Sequence, residues 1–173
     1  MPDEIAANEA MRLKRLVFYA EDQQRIDAAL QGFLRKAGAT SVAVVDTEGH
    51  LVARQGIKAK GDPASLAALV AGAFAGLRQV ARLVGEADFR TMSHAGQDQA
   101  IHMTLIGPRT LQVAVFPASV KAGMVAMFSG ELAQQLAAVL ADAEKRSQDA
   151  PPQLDQGFSQ AAKSQLDDLF GNL

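Results

Sequence analysis

The apolar positions of this chain switch period several times, and the switches divide it into elements. Ile26, Ala29, Leu30, Phe33, Leu34 and Ala37 repeat at i, i+3, i+4 and i+7, which predicts a helix with one buried face, starting near Tyr19–Glu21. Glu21 and Asp22 suit its first turn, and Gly38 suits its stop. The period then drops to two. Ser41 to Asp46 and His50 to Gln55 read as two strands, joined by Thr47-Glu48-Gly49, a turn whose glycine takes a positive φ. After a loop from Gly56 to Gly61, Asp62-Pro63 starts a second helix, Asp as N-cap and Pro at the first helical position. It runs to about Val84 and stops at Gly85.

Three further strands follow: Asp88 to Ala95, weak and polar; Gln99 to Ile106, with Ile101, Met103 and Leu105 on one face and His102, Thr104 and Ile106 on the other; and Thr110 to Phe116, the most hydrophobic and so central. Pro117-Ala118-Ser119 caps a last helix to about Glu144, with Val120, Met124, Met127, Phe128, Leu132, Leu136, Val139 and Leu140 as its stripe. The order α-β-β-α-β-β-β-α predicts an α+β fold of three layers, a five-stranded, mainly antiparallel sheet with helices on both faces. Residues 1–15 read as a flexible arm, 16–146 as the domain, 147–157 with Ala150-Pro151-Pro152 as a linker, and 158–173 as an amphipathic segment.

Composition narrows the function classes. The chain has 173 residues, no cysteine and a net charge of −2. Disulfides, thiolate metal sites and a cysteine nucleophile are excluded, and no basic run offers a surface to nucleic acid. The stretch Leu66 to Ala75 falls short of a membrane span, and Leu16-Val17-Phe18 is too short for a signal sequence. A cytoplasmic protein without membrane attachment is expected.

Candidate chemistry is sparse. His50, His94 and His102 lie on strands or strand ends and no Gly-x-Ser-x-Gly is present, which argues against a hydrolytic triad. Gly56 to Gly61 lacks the Gly-Lys-Ser/Thr ending of a phosphate loop. His94 and His102 could approach across the turn at Gly96-Gln97-Asp98, but no third ligand is spaced to join them, and we read both as surface positions. No metal, cofactor or catalytic residue is assigned.

The middle helix holds the stronger signal. Ala68, Ala71, Gly72, Ala75, Gly76 and Gln79 lie on overlapping helical rows, and Leu66, Leu69, Val70, Ala73, Leu77 and Val80 supply the remaining apolar surface. Each glycine inside a helix costs about 1 kcal/mol relative to alanine. Close packing on the sheet would explain the pair; so would a partner approaching the backbone, and we favour the partner, because one sheet face cannot cover a helix apolar around most of its circumference. The weak strand belongs at a sheet edge, open to pairing with a copy of itself or protected by Arg90 and its polar face. Leu166, Leu169 and Phe170 form an apolar cluster beyond the linker, either a docking peptide or a helix folding back on the domain.

The order of elements resembles the Roadblock family of small-GTPase regulators, and within it the MglB group of gliding-motility proteins. The resemblance is carried by Leu16 to Tyr19, Val44 to Leu51, Ser65 to Gly72, Leu83 to Glu86, His94 to Gly96, Met103 to Arg109 and the final Leu166 to Phe170. It implies a homodimer with a shared sheet and adjacent middle helices, serving as a platform for a Ras-like small GTPase of the MglA type. It also implies a GTPase-activating regulator that is not itself an enzyme, supplies no arginine finger and acts by reshaping the GTPase switch regions. The implied GTPase-binding positions are Ala68, Leu69, Gly72, Ala75, Gly76 and Gln79, with Arg25 of the first helix; Leu166, Leu169 and Phe170 would modulate nucleotide exchange. Arg78-Gln79 departs from the small residues expected there. A dimeric scaffold without effect on hydrolysis, and a profilin- or PAS-like small-ligand sensor, are the competing readings.

Overall fold

The computed structural model describes residues 18–56 and 62–149. Helix α1 spans Ala20–Ala37, strand β1 Ser41–Asp46, β2 Leu51–Gly56, helix α2 Pro63–Leu83, strands β3 Thr91–Ala95, β4 Gln99–Ile106 and β5 Thr110–Pro117, and helix α3 Ala122–Asp149. One antiparallel sheet takes the order β2-β1-β5-β4-β3. The expected architecture and element order are thus observed, with the most hydrophobic strand in the centre and the weak one at an edge. The unit Phe18–Asp142 holds the whole sheet; of the second unit only Ala143–Asp149, the end of α3, falls among the described residues.

Local chemistry sets the helix ends. The Asp22 carboxylate accepts the Tyr19 backbone N–H at 2.9 Å at the start of α1, and Gly38 (φ 67°) closes its C-terminus in the left-handed region. Ile26, Leu30, Phe33 and Ala37 are buried, the stripe the sequence spacing gives.

The sheet separates two cores. On one face, Val70 and Phe74 of α2 pack with Met103, Leu105, Leu111 and Val113, joined by the partly buried Leu66, Met92 and Ile101. On the other, α1 reaches β2 through Gln55 Nε2 to Asp27 Oδ1 at 3.2 Å, and α3 reaches the central strand through Gln112 Nε2 to Ser129 Oγ at 2.9 Å. Burial of a large apolar side chain such as Phe74 or Phe116 stabilises the fold by about 1.5–3 kcal/mol, and both are 1% exposed.

Several boundaries differ from expectation, with β2 running to Gly56 and β5 to Pro117, each one residue beyond the expected end. The second strand begins at Leu51 rather than His50, because Asp46 holds His50 in the turn and a bulge shifts the register between Val44↔Ala53 and Val45↔Leu51. Residues 88–90 are not strand; β3 starts at Thr91. The last helix starts at Ala122, after a turn in which Val120 N–H donates to the Pro117 carbonyl. It continues to Asp149, three residues into the expected linker, since nothing before Pro151 breaks it. Residues 1–15, the rest of the linker and the segment 158–173 lie outside the described residues.

Candidate partner-binding surface

Helix α2 is built firmly at both ends. Asp62 accepts from the Ser65 N–H and from its hydroxyl, both at 3.0 Å, and Pro63 follows at the first helical position. The Ser65 backbone bond, and then its hydroxyl, hold the Asp62 carboxyl below its ordinary pKa. At the far end Gly85 (φ 80°) turns the chain, and Glu86 N–H returns to the Ala81 carbonyl at 2.9 Å.

Between these caps the helix has two unlike faces. Ala67, Val70, Ala71, Phe74 and Ala81 are buried against the sheet. Ala68, Leu69, Gly72, Ala75, Gly76 and Gln79, all expected from the sequence to bind a partner, share the opposite face and are exposed. Leu69 is 72% exposed, and a methyl group placed on Gly72 or Gly76 would meet no atom within 4 Å. Within this chain the glycines therefore serve no close packing. Ser65, Leu69, Gly72, Gly76, Gln79 and Leu83 repeat at alternating spacings of four and three, the seam by which one helix packs along another.

The positions assigned to partner contact stop at Gln79, short of the C-terminal end of this face. Val80 is 47% exposed, Leu83 86% and Val84 64%; the signal was the seven-residue spacing of Leu69, Gly76 and Leu83. Arg25 is exposed too, but it sits on α1, in the layer across the sheet from α2, so the fold does not gather it with the other six positions. Leu166, Leu169 and Phe170 lie outside the described residues. The Arg78 guanidinium is engaged with Asp88 at 3.4 Å, and Arg82 donates to Gln79 Oε1 at 3.3 Å. At the other end of α2, Gly49 of the β1–β2 turn lies against Ala68, where a Cβ would approach the Ala68 Cα to 3.0 Å.

Strand β3 presents a second open surface. Thr91, Ser93, His94 and Ala95 are exposed. Leu105 N–H donates to the Arg90 carbonyl and Gly96 N–H to that of Gln99, so by alternation Thr91, Ser93 and Ala95 direct their backbone groups off the sheet edge.

The histidines require a correction. His102 is not a surface residue: it is 3% exposed, with Nδ1 2.7 Å from Ser93 Oγ and Nε2 3.1 Å from Thr104 Oγ1. Burial pushes its pKa below the ordinary 6.5. His94 pairs with Ile101 and lies on the other face of the sheet, so the two imidazoles do not converge. His50 is held by its neighbour, Nδ1 lying 2.8 Å from Asp46 Oδ2.

The groove between α1 and α3, lined by Gly32, Phe33, Phe128 and Leu132, holds about 80 Å³, against roughly 300–1,000 Å³ for an ordinary ligand pocket. Helices α2 and α3 are long and apolar enough to cross a membrane by length and composition, which a reading of Leu66 to Ala75 alone missed; each nevertheless lays one face on the sheet.

Comparison with known proteins fits this geometry. The Roadblock/LC7 domain matches residues 25–116, more than half of the chain. The chain belongs to the Roadblock/LC7 family. Among solved structures, Myxococcus xanthus MglB is 30% identical, with a TM-score of 0.69 over 74% of this chain and 96% of that one. The gliding protein MglB from Thermus thermophilus is 28% identical, with a TM-score of 0.70 over 74% and 97%. A further MglB structure, described with a tetrameric arrangement, is also 28% identical with a TM-score of 0.70. No curated protein sequence matches the chain. As a Roadblock/LC7 protein the chain falls in a family of regulators rather than of enzymes. The matched stretch begins within α1 and ends in β5, so it contains α2 whole.

Proposed function

We propose that this Roadblock/LC7 protein is a GTPase-activating regulator of a Ras-like small GTPase of the MglA type, working as a homodimer in cell polarity or motility. One observation carries the reading: α2 leaves a small-residue face bare along its length, with Gly72 and Gly76 open to close backbone approach and Leu69 and Leu83 projecting beside them. The likeness to MglB structures supports the choice of partner.

Two copies join through the β3 edges with their α2 helices side by side, and the helix faces that carry Gly72 and Gly76 stay open as the platform for the GTPase. Activation needs no donated arginine: Arg78 and Arg82 are occupied within the chain, and the platform instead orders the switch segments of the GTPase around its own nucleotide. Arg25, and the C-terminal Leu166, Leu169 and Phe170, are assigned secondary contacts with the same partner.

The test is GTP hydrolysis by an MglA-type GTPase with and without this protein. Wild type accelerates turnover, whereas Gly72→Arg abolishes both binding and acceleration while the far-UV spectrum and melting temperature stay near wild type, because the site is exposed. Binding without acceleration would select the scaffold alternative. No binding at all would sink the proposal.

A further inference from the structure

Beneath the edge strand lies a short polar row that the partner-binding face of α2 does not use. His102 of β4 stands between Ser93 of β3, whose Oγ is 2.7 Å from its Nδ1, and Thr104, whose Oγ1 is 3.1 Å from its Nε2. The imidazole is 3% exposed, while Ser93, its cross-strand partner, is exposed at the rim of the sheet. Both hydroxyls can accept from a protonated imidazole, but neither carries a charge to balance it, and an unpaired buried charge is costly. Among the described residues, the surrounding elements turn uncharged side chains to this site. Strand β3 adds Thr91 and Ala95 to the same face, with His94 on the other; β4 adds Ala100 and Thr104, and β5 adds Gln112 and Ala114. Helix α3 buries Val125, Ser129 and Leu132, while Lys121 before it and Glu131 on it are exposed. Asp46 of β1 shares the face, but it lies two strands away and its Oδ2 is 2.8 Å from the His50 imidazole. Helix α1 packs on β2, at the far edge of the sheet.

We infer that His102 gates the shared-sheet dimer proposed above, on which this inference rests: a proton on its imidazole opens the β3–β3 pairing, and the chain returns to monomer as the pH falls. Strand β3 behaves differently alone and paired. In one chain it is bonded to β4 only, and the outward backbone groups of Thr91, Ser93 and Ala95 meet water. Such an edge lifts locally, carrying Ser93 outward and letting water reach the imidazole. A partner strand pairs about 4.8 Å from β3 and bonds those same outward groups, so lifting then breaks two ladders. The charged imidazole is therefore hydrated in the monomer and cut off from water in the dimer. Burial within one chain already holds the pKa of His102 below its ordinary 6.5, and pairing pushes it lower again. The sign follows by linkage: the dimer binds fewer protons than two monomers, so its affinity is full above the monomer pKa and falls as the pH drops through it. Each dimer carries one such histidine from each copy, and both act in the same direction.

The experiment is sedimentation velocity on the full chain across the micromolar range, at steps between pH 7.5 and pH 5.5, with far-UV spectra confirming the fold at each step. The wild-type dimer is expected to weaken by about tenfold or more over that interval. His102→Gln keeps a hydrogen-bonding side chain between the two hydroxyls and cannot take the proton. It is expected to dimerise at pH 7.5 and to hold that affinity to pH 5.5. His94→Gln, on the opposite face of β3, is expected to keep the wild-type dependence. Should His102→Gln fail to fold, a reciprocal measurement leaves His102 intact: NMR titration of its imidazole is expected to show protonation at higher pH in Thr91→Pro, which blocks the strand edge, than in wild type. A wild-type affinity that ignores pH, a dependence carried unchanged by His102→Gln, or equal titration in wild type and Thr91→Pro overturns the inference and leaves the proposed dimer standing. A wild type that is monomeric at pH 7.5 at every concentration removes the shared-sheet dimer and the gate with it.

Discussion

At the scale of single residues, two kinds of position carry the physics. His102 sits among hydroxyls beneath the edge strand, and burial lowers its pKa below 6.5. The unfolded chain therefore takes up this proton first as pH falls. The contribution of His102 to stability is complete above about pH 6.5 and is lost progressively below it, down to the folded-state pKa. The expected outcome is a urea midpoint lower at pH 5.5 than at pH 7.5, with a smaller difference in His102→Gln; equal differences in the two proteins would remove the histidine as the cause. Gly72 and Gly76 make the opposite case, since their surroundings are empty. Replacing both by alanine should stabilise the monomer fold by about 0.5–1 kcal/mol per site and yet weaken association through α2. Higher melting temperature together with tighter association would show that the glycines have no interface role.

Elements raise a different question: which surfaces are left over once each helix and strand has met the sheet. Helix α2 satisfies its buried face with Val70 and Phe74 and leaves a second apolar seam unused. Strand β3 leaves the outward backbone groups of Thr91, Ser93 and Ala95 available for pairing. Proline at Thr91 removes an N–H that points off the sheet, so the fold should tolerate it, while a partner strand loses a hydrogen bond and meets the ring. Thr91→Pro is expected to abolish the proposed dimer in sedimentation velocity with its strand content retained. A dimer of unchanged affinity would place self-association elsewhere. These leftovers were only partly legible beforehand. The small residues of α2 could be counted along the chain, but whether Gly72 touches the sheet or faces away depends on the rotation of the helix about its axis, which Val70 and Phe74 set by packing.

At the scale of the whole molecule, the proposed activation of a GTPase would rest on shape rather than on a donated charge. Arg78 and Arg82 are the cations on α2, and each has a partner within the chain. The double replacement Arg78→Ala and Arg82→Ala is expected to retain most of the stimulation of GTP hydrolysis; a fall of about a thousandfold, the scale of an arginine finger, would reverse that view. What the sequence by itself determined is everything that depends on neighbours a few residues away. The helix caps at Asp62 and Gly85, the hairpin turn at Gly49, the element order, the central place of Thr110–Pro117 and the peripheral place of β3 follow from local backbone preference and hydrophobic period. Tertiary structure alone decided which layer each helix joins. It separated Arg25 from the α2 positions it was grouped with, buried His102 where an alternating polar position suggested solvent, and left the outer faces of both α2 and α3 uncovered. The physical reason is that burial is a property of a residue's surroundings in space. Chain spacing records which side chains share a face, and only packing against the sheet settles which face is left for other molecules.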